Sequence, residues 1–454
     1  MKNSSSFIEV LVFVVSLIIF TAYGIYLSTS LGLSLFIAVS YSFIRRLGST
    51  VDIRYLIIIL SLLQWVIGPF FAYRYYSYEY GTYDMMVDEI TYMNFVVFSV
   101  VFYAIGMFIP LKVKSFNTSI VRKQIRYFVA RYKNIDIFFI IVGVIFNLFW
   151  ANMPIQIRFF AFLLGNLHFV GLLFLLENKQ RSNRKLYLII AFIFTALSSL
   201  KAAMFHDLFL WLGFMLLFVL YGKKIKFHQK LIGVLLVVIL AGTVQTVKFQ
   251  YRDAVWGAEQ KMDTGERLGL FTDLVSENVG GKFLTSQANI NNMIVRINQG
   301  WIIARIMHHV PHFEPYAGGE TISEALKATL LPRILVPRKA TSGGVSNFER
   351  FTGHELQPGT SMNLSILGEA YANYGQGAFL FMFVFGFFLN YSYYFVKKLI
   401  VKGKPTLLFF IPIIYLQVIK AETDFVTVLN HLIKASVFVW IIYFGLRKFL
   451  NIKM

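Results

Sequence analysis

The chain contains no cysteine in 454 residues, so disulfides, thiolate catalysis and cysteine-held zinc or iron–sulfur sites are excluded. Charge is scarce as well: 15% of residues are charged and 57% are hydrophobic, whereas about a quarter of a soluble domain is charged. That much apolar surface must face lipid rather than a water-shielded core. Also missing are a glycine-rich phosphate loop, a dinucleotide fingerprint after a strand, an HExxH helix and a GxSxG elbow. Without a soluble nucleotide-binding domain, a cytosolic nucleotide-sugar transferase or an ATP-driven pump is disfavoured, and any substrate is membrane-borne or external. No internal repeat or low-complexity segment stands out.

What the sequence does have is a series of apolar runs, near 7–27, 29–44, 55–72, 92–110, 136–153, 157–176, 186–200, 206–222, 231–248, 376–396, 405–420 and 429–447. These predict an all-α, polytopic transmembrane bundle of about twelve spans, since a crossing needs about 20 residues with a floor near 17. The runs at 29–44 and 186–200 are short, and each is read as a span or a re-entrant piece. No small-x-small cleavage site follows the first run, so it is expected to be retained. The formal charge of +20 is scattered between the runs, the pattern of basic loops meeting anionic headgroups rather than of a nucleic-acid surface.

The positive-inside rule orients the bundle. With the N-terminus cytoplasmic, the inner loops carry Arg45, Arg46 and Arg54, then seven basic residues from Lys112 to Lys133. The later inner loops carry Lys179 to Lys185, Lys223 to Lys230 and Lys397 to Lys404, and the basic tail is also inside. The outer loop 73–91 has Arg74 against Glu79, Asp84, Asp88 and Glu89. Dropping one short span would put later basic loops outside, so both termini are expected in the cytoplasm. In 119–133, Ile125, Phe128, Val129 and Tyr132 form an apolar stripe flanked by Arg122, Lys123, Arg126, Arg131 and Lys133; this predicts an interfacial helix, serving topology or lipid binding.

The chain thus divides into spans 1–9 (1–247), one large, partly helical external loop (248–375), and spans 10–12 with the tail (376–454). The loop is polar and rich in glycine and proline, and a long loop with internal structure usually carries function. Residues 284–309 predict one helix, and Thr321-Ile-Ser-Glu324 predicts a capping box opening another, stopped before Pro332.

Within the loop, Lys248, Arg252, Arg267, Arg296, Arg305, Arg333, Arg338 and Lys339 place positive charge on the face where it is usually depleted. Arginine grips phosphate bidentately, which points to a phosphate-bearing ligand; pairing with the loop's own acids is the alternative. On one continuous helix Arg296 and Arg305 point to opposite sides, while Asn292, Arg296 and Gln299 share a face. Lys248 and Arg252, four apart around Tyr251, form a cationic pair above the membrane. In GEAYANYG (368–375), Glu369 and Asn373 share a helical face beside Tyr371. Glu369 is a candidate general base for a sugar hydroxyl, or a structural partner for an arginine. His354 is a second candidate base. His308, His309 and His312 suggest metal, but Pro311 interrupts them and no carboxylate motif accompanies them, so no metal is expected. Lys420, Glu422 and Asp424 end the eleventh span, facing the same cavity or pairing among themselves.

The ordered set Lys248-Phe-Gln-Tyr-Arg252, Arg296-Ile-Asn-Gln-Gly-Trp301, Leu331-Pro-Arg333, Val336-Pro-Arg-Lys339 and Gly368-Glu-Ala-Tyr-Ala-Asn-Tyr-Gly375 resembles bacterial O-antigen and exopolysaccharide repeat-unit polymerases of the Wzy type. The span pattern and the position of the long loop extend the resemblance over most of the chain. It implies a GT-C-like, metal-independent glycosyltransferase of the bacterial inner membrane that needs no cofactor. Such an enzyme moves a growing glycan from undecaprenyl diphosphate onto a lipid-linked repeat unit. Flippase and chain-length regulator proteins are implied partners. Arg252, Arg296 and Arg333 would hold the leaving diphosphate, with Lys248, Tyr251, Gln299, Arg338, Tyr371 and Asn373 lining the substrate site, and Glu369 or a loop histidine would take the proton. An O-antigen ligase shares this donor and differs in acceptor. A lipid-linked oligosaccharide transporter is the competitor from another class, and it predicts charged faces at mid-membrane and paired halves.

Overall fold

A computed structural model describes residues 2–76, 81–111, 117–190, 193–194, 206–257, 262–278, 287–331, 344–357 and 360–452. All regular structure among them is helical. The first half runs α1 (Lys2–Ala22), α2 (Leu27–Arg46), α3 (Ile53–Leu62), α4 (Gly68–Tyr75), α5 (Glu89–Phe108), α6 (Thr118–Arg131), α7 (Ile135–Phe149), α8 (Ile155–Gly165), α9 (Leu167–Glu177), α10 (His206–Leu220) and α11 (Phe227–Gly257). The second half runs α12 (Thr264–Asn278), α13 (Gln287–Ile297), α14 (Gly300–His309), α15 (Glu320–Leu330), α16 (Val345–Thr352), α17 (Ser365–Tyr374), α18 (Ala378–Val401), α19 (Ile411–Tyr415) and α20 (Phe425–Phe449).

Among the described residues seven helical segments are long and apolar enough to cross a membrane: Leu27–Arg46, Ile53–Tyr75, Glu89–Phe108, Ile135–Asn152, Ile155–Glu177, Ser365–Val401 and Phe425–Phe449. The chain is therefore an all-helical protein built for a membrane. Shorter apolar helices at Phe7–Ala22, Leu210–Leu220, Phe227–Ile239 and Pro405–Tyr415 coincide with four more of the expected spans. The expected span 186–200 lies largely outside the described residues. The run at 29–44 belongs to a 20-residue helix, long enough to cross, because the polar residues Ser28 to Ser30 continue the helix beyond the apolar core.

Lipid supplies no hydrophobic drive between spans, so close packing of small residues does the work. The α5–α18 pair shows it: a Cβ on Gly106 would strike the Phe383 carbonyl, and one on Gly386 would strike the Tyr103 carbonyl. Gly143 and Gly171 make the same reciprocal approach between α7 and α9.

The contacts sort the connecting segments onto two ends. At the basic end, the Thr118 hydroxyl donates to the Ser49 carbonyl (2.8 Å), the Gly222 N–H to the Gly48 carbonyl (2.7 Å) and Lys230 Nζ to the Arg45 carbonyl (2.9 Å). Buried and part-buried acids offset part of the charge there. Asp52 pairs with Arg54 (2.7 Å) and Lys397 (3.6 Å), Asp136 with Arg181 (2.7 Å), and Glu177 with Arg122 and Arg126 (2.6 Å each). The expected interfacial helix is α6, but its apolar stripe turns inward. Ile125, Phe128 and Val129 are buried, with Phe128 against Phe174 of α9, because Glu177 draws the neighbouring arginines onto that helix. At the opposite end, Arg74 bonds Glu89 (3.1 Å), Gln287 Nε2 donates to the Tyr75 carbonyl (3.0 Å) and Arg305 Nη2 to the Thr82 carbonyl (3.2 Å).

Candidate functional site

The end away from the basic loops is organised around a break in the chain at Asn298–Gln299. The single helix expected over 284–309 is two helices, α13 and α14. Three approaches force the break. Gly68 lies so close that a Cβ would stand 2.5 Å from the Ile297 carbonyl, Gly300 abuts Tyr92 and Pro69, and the Gln299 N–H leaves the helix to bond the Gln64 carbonyl (3.1 Å). Asn298 restarts the helix by accepting the Trp301 N–H (3.2 Å). Gln299 therefore does not share a helical face with Asn292 and Arg296, and the opposite-sides argument for Arg296 and Arg305 lapses with the continuous helix. Those two arginines take separate partners: Arg296 Nη1 stands 4.0 Å from Glu422, whereas Arg305 reaches the Thr82 carbonyl. The helix α14 itself is core, with Trp301 to Ala304 and Ile306 buried.

Directly over α14 lies α17, which carries Glu369. Every residue from Ser365 to Asn373 is buried, and Gly368 admits Ile306 and Ile303 where a side chain would collide. The one-turn spacing of Glu369 and Asn373 puts both against Thr321. The Thr321 hydroxyl donates to Glu369 Oε1 (2.8 Å) and accepts from Asn373 Nδ2 (2.7 Å). Glu369 Oε2 accepts the Phe425 N–H (2.8 Å), and Asn373 Oδ1 accepts the Gly319 N–H (3.0 Å). Thr321 is thus not the expected cap. The helix α15 begins at Glu320 behind the left-handed Gly319 (φ 95°), which leaves Thr321 in the first turn, aimed at Glu369. Nor does Glu369 stand among arginines: among the described residues it makes no ion pair, and its charged neighbour is Asp424. GEAYANYG accordingly forms a buried helical leg before the turn Gly375–Gly377 and α18.

One turn, 420–424, links these parts. Glu422 faces Arg296, Asp424 caps α20 by accepting the Thr427 N–H (2.9 Å), and the next N–H holds Glu369. Burial pushes the Asp424 carboxyl above its ordinary range. Near Asp424 lie two buried oxygens without a hydrogen-bond partner among the described residues, Asn363 Oδ1 and Thr427 Oγ1, and Asn430 Oδ1 is a third, farther along α20. Residue spacing carried a signal for them, since Thr427, Asn430 and Lys434 form a polar stripe in an apolar span. Thr321 and Asn363 carried none.

A second constellation lies where α14 meets the segment after α16. Burial lowers the Arg305 guanidinium, Asp84 opposes that, and Arg305 Nε is buried without a partner among the described residues. His354, partly exposed, feels that cation: burial first and Arg305 second push its imidazole below the usual range, so it is neutral at pH 7. Nearby, Arg350 clamps Glu314 (2.6 Å) and Glu320 (3.1 Å). Tyr371 lines a cavity of about 560 Å³ with His308, His312 and Gln376. Among the described residues no three His, Asp or Glu side chains gather as a metal set.

Tyr251 is fully buried, its ring edge-on to Phe271 of α12, in the packing between α11 and α12 rather than on an open surface. Lys248 and Arg252 belong to α11, but their side chains, like residues Arg333 and Arg338, lie outside the described residues. No family model, no curated protein and no solved structure matches this chain.

Proposed function

We propose that the chain is a membrane-embedded glycosyltransferase of the O-antigen and exopolysaccharide polymerase type, with twelve spans and both termini on the cytoplasmic side of a bacterial inner membrane. The observation that carries this reading is the presence, at the end opposite the basic loops, of two neighbourhoods: Arg296 beside the 420–424 turn that also holds Asp424 and leads to the N–H bound by Glu369, and Arg305 beside a neutral His354. The hydroxyl of the lipid-linked acceptor attacks the anomeric carbon of the donor glycan. The bond from that carbon to the undecaprenyl diphosphate oxygen breaks, and the diphosphate leaves with the electron pair. Arg296 and Arg305 offset its charge. His354 takes the acceptor proton, since a neutral, partly open imidazole suits a base better than Glu369, whose two oxygens are already engaged. A diphosphate leaving group supplies the driving force, so neither nucleotide nor metal is needed.

The polar face of Thr427, Asn430 and Lys434 inside α20 favours a second reading, a transporter of lipid-linked oligosaccharide. Gene deletion in the native host, complemented with Arg296→Ala and His354→Ala at matched membrane levels, separates them by the length ladder of surface glycan. The polymerase reading expects single repeat units after deletion and no ladder with either variant. Polymerised glycan left on its carrier would indicate a ligase, and unpolymerised repeat units trapped in the inner leaflet a transporter. Unaltered glycan would remove all three.

A further inference from the structure

A cavity of about 1400 Å³ opens at the basic end, where three connections meet: Leu47–Ser49 after α2, Asn117–Ser119 before α6, and Gly222–Lys226 between α10 and α11. It is larger than the roughly 300–1,000 Å³ that holds a drug-sized ligand. Its walls are stitched by hydrogen bonds from Thr118 to Ser49 and from Gly222 to Gly48, and Arg122 Nη1 donates to the Tyr221 carbonyl (2.6 Å). Among the described residues the lining holds seven basic side chains and no acidic one. Glu177 neutralises part of Arg122 and Arg126 from behind, but Lys123, Lys223, Lys224 and Lys226 have no ion pair among the described residues. The N–H groups that open α6 are not the attraction, because the Asn117 side chain already accepts those of Ser119 and Ile120.

The flank of this cavity is apolar. Beyond Lys230, α11 exposes Val237 on the same face as Lys226 and Lys230, with Phe227 and Val238 beside it, and α6 exposes Ile120 and Tyr127. Cations at the level of the span ends with uncovered aliphatic surface running away from them match one ligand chemistry: a phosphate anion attached to acyl chains. We propose that this cavity is a binding site for the phosphodiester headgroup of an anionic phospholipid. The lysines of 223–226 hold the phosphate, and the exposed face of α11 carries the chains. The site lies on the opposite end from the candidate transfer site and does not depend on that reading.

The test is native mass spectrometry of the full-length protein, released from nanodiscs of equimolar phosphatidylglycerol and phosphatidylethanolamine. The wild type is expected to retain phosphatidylglycerol preferentially. A lysine at an anionic surface contributes roughly a fivefold factor, so Lys223→Gln/Lys224→Gln/Lys226→Gln should lower that preference by about tenfold or more. Lys123→Gln, on a different element, should lower it in the same direction, and the corresponding triple arginine variant should keep it. A control removing equal charge elsewhere on the same end, Lys398→Gln/Lys402→Gln/Lys404→Gln, should leave it intact. Equal loss in the control would reduce the effect to general surface charge and overturn the site, as would no loss in any variant. Displacement of the lipid by inorganic phosphate or by the deacylated headgroup at equal concentration would make the occupant a soluble anion and overturn the lipid assignment.

Discussion

The Glu369 carboxylate accepts the backbone N–H of Phe425 at 2.8 Å, although 56 residues separate them. With its other oxygen on the Thr321 hydroxyl, this one side chain ties α15, α17 and the start of α20 together. Glu369→Ala should therefore destabilise the protein by about 1–3 kcal/mol, the cost of stranding buried donors, read as a lower unfolding temperature in detergent. Thr321→Val should cost a comparable amount and should not add fully to Glu369→Ala, because the two share a bond. Full additivity would show that the two groups act independently.

Arg296 is different in kind. Its side chain is about one-third exposed and its contact with Glu422 is long, 4.0 Å. Exposed pairs of this sort contribute about 0–1 kcal/mol, so Arg296→Ala should unfold at the wild-type temperature within a degree or two while abolishing chain extension. Arg296→Lys keeps the charge but loses the planar fork, and should restore little activity if a diphosphate is gripped bidentately. Substantial rescue by lysine would argue for a simple point charge.

His354 gives the pH dependence its sign. Its folded pKa lies below the ordinary 6.5, by burial and then by Arg305, so the folded protein prefers the neutral ring. Stability from this preference is complete above the unfolded value and is lost as pH falls through the folded one. If His354 is the base proposed above, it should place an acid limb below pH 6.5 in the rate of glycan extension by membrane vesicles. Arg305→Gln removes the smaller of the two causes and should move that limb upward. A limb that stays put in Arg305→Gln would separate the two residues.

At the other end, Asp52 accepts both Nε and Nη2 of Arg54 (2.9 and 2.7 Å) and faces Lys397. Burial alone would raise its carboxyl; Lys397 and Arg54 outweigh burial and hold it down to about 2. This stability is present above the unfolded value of 3.8 and disappears as pH falls through about 2. Asp52→Ala removes the counter-charge of two part-buried cations and should cost about 3 kcal/mol, the lower end for a buried pair, with partial recovery in Asp52→Ala/Arg54→Met. Thermal unfolding of the single and double variants at neutral pH checks this; a double variant no better than the single would mean Arg54 needs no counter-charge.

Because the natural chain has no cysteine, its orientation can be read by single substitutions without removing a background. Lys224→Cys at the basic end and Phe313→Cys at the opposite end both sit at exposed positions. In intact cells a membrane-impermeant maleimide should label the second and reach the first only after lysis. The reverse pattern would invert the proposed orientation.

How much of this was legible beforehand divides along the range of the interactions. Composition, apolar run length and the spacing of basic residues determined an all-helical membrane protein, the placement of its apolar segments and the grouping of its basic loops, now joined by contacts such as Thr118–Ser49 and Lys230–Arg45. These are local or additive quantities, summed along the chain. The common face of Glu369 and Asn373 was legible for the same reason, being one helical turn. What only the tertiary structure decided depends on residues far apart in sequence. The break at Asn298 arises from the approach of Gly68 and Tyr92, Thr321 leaves the cap to bond a carboxylate 48 positions later, and the stripe of α6 faces Phe174 rather than lipid. A helical period states which residues share a face, but not what that face meets, because a buried hydrogen bond or a backbone crossing is chosen by the partner as much as by the residue itself.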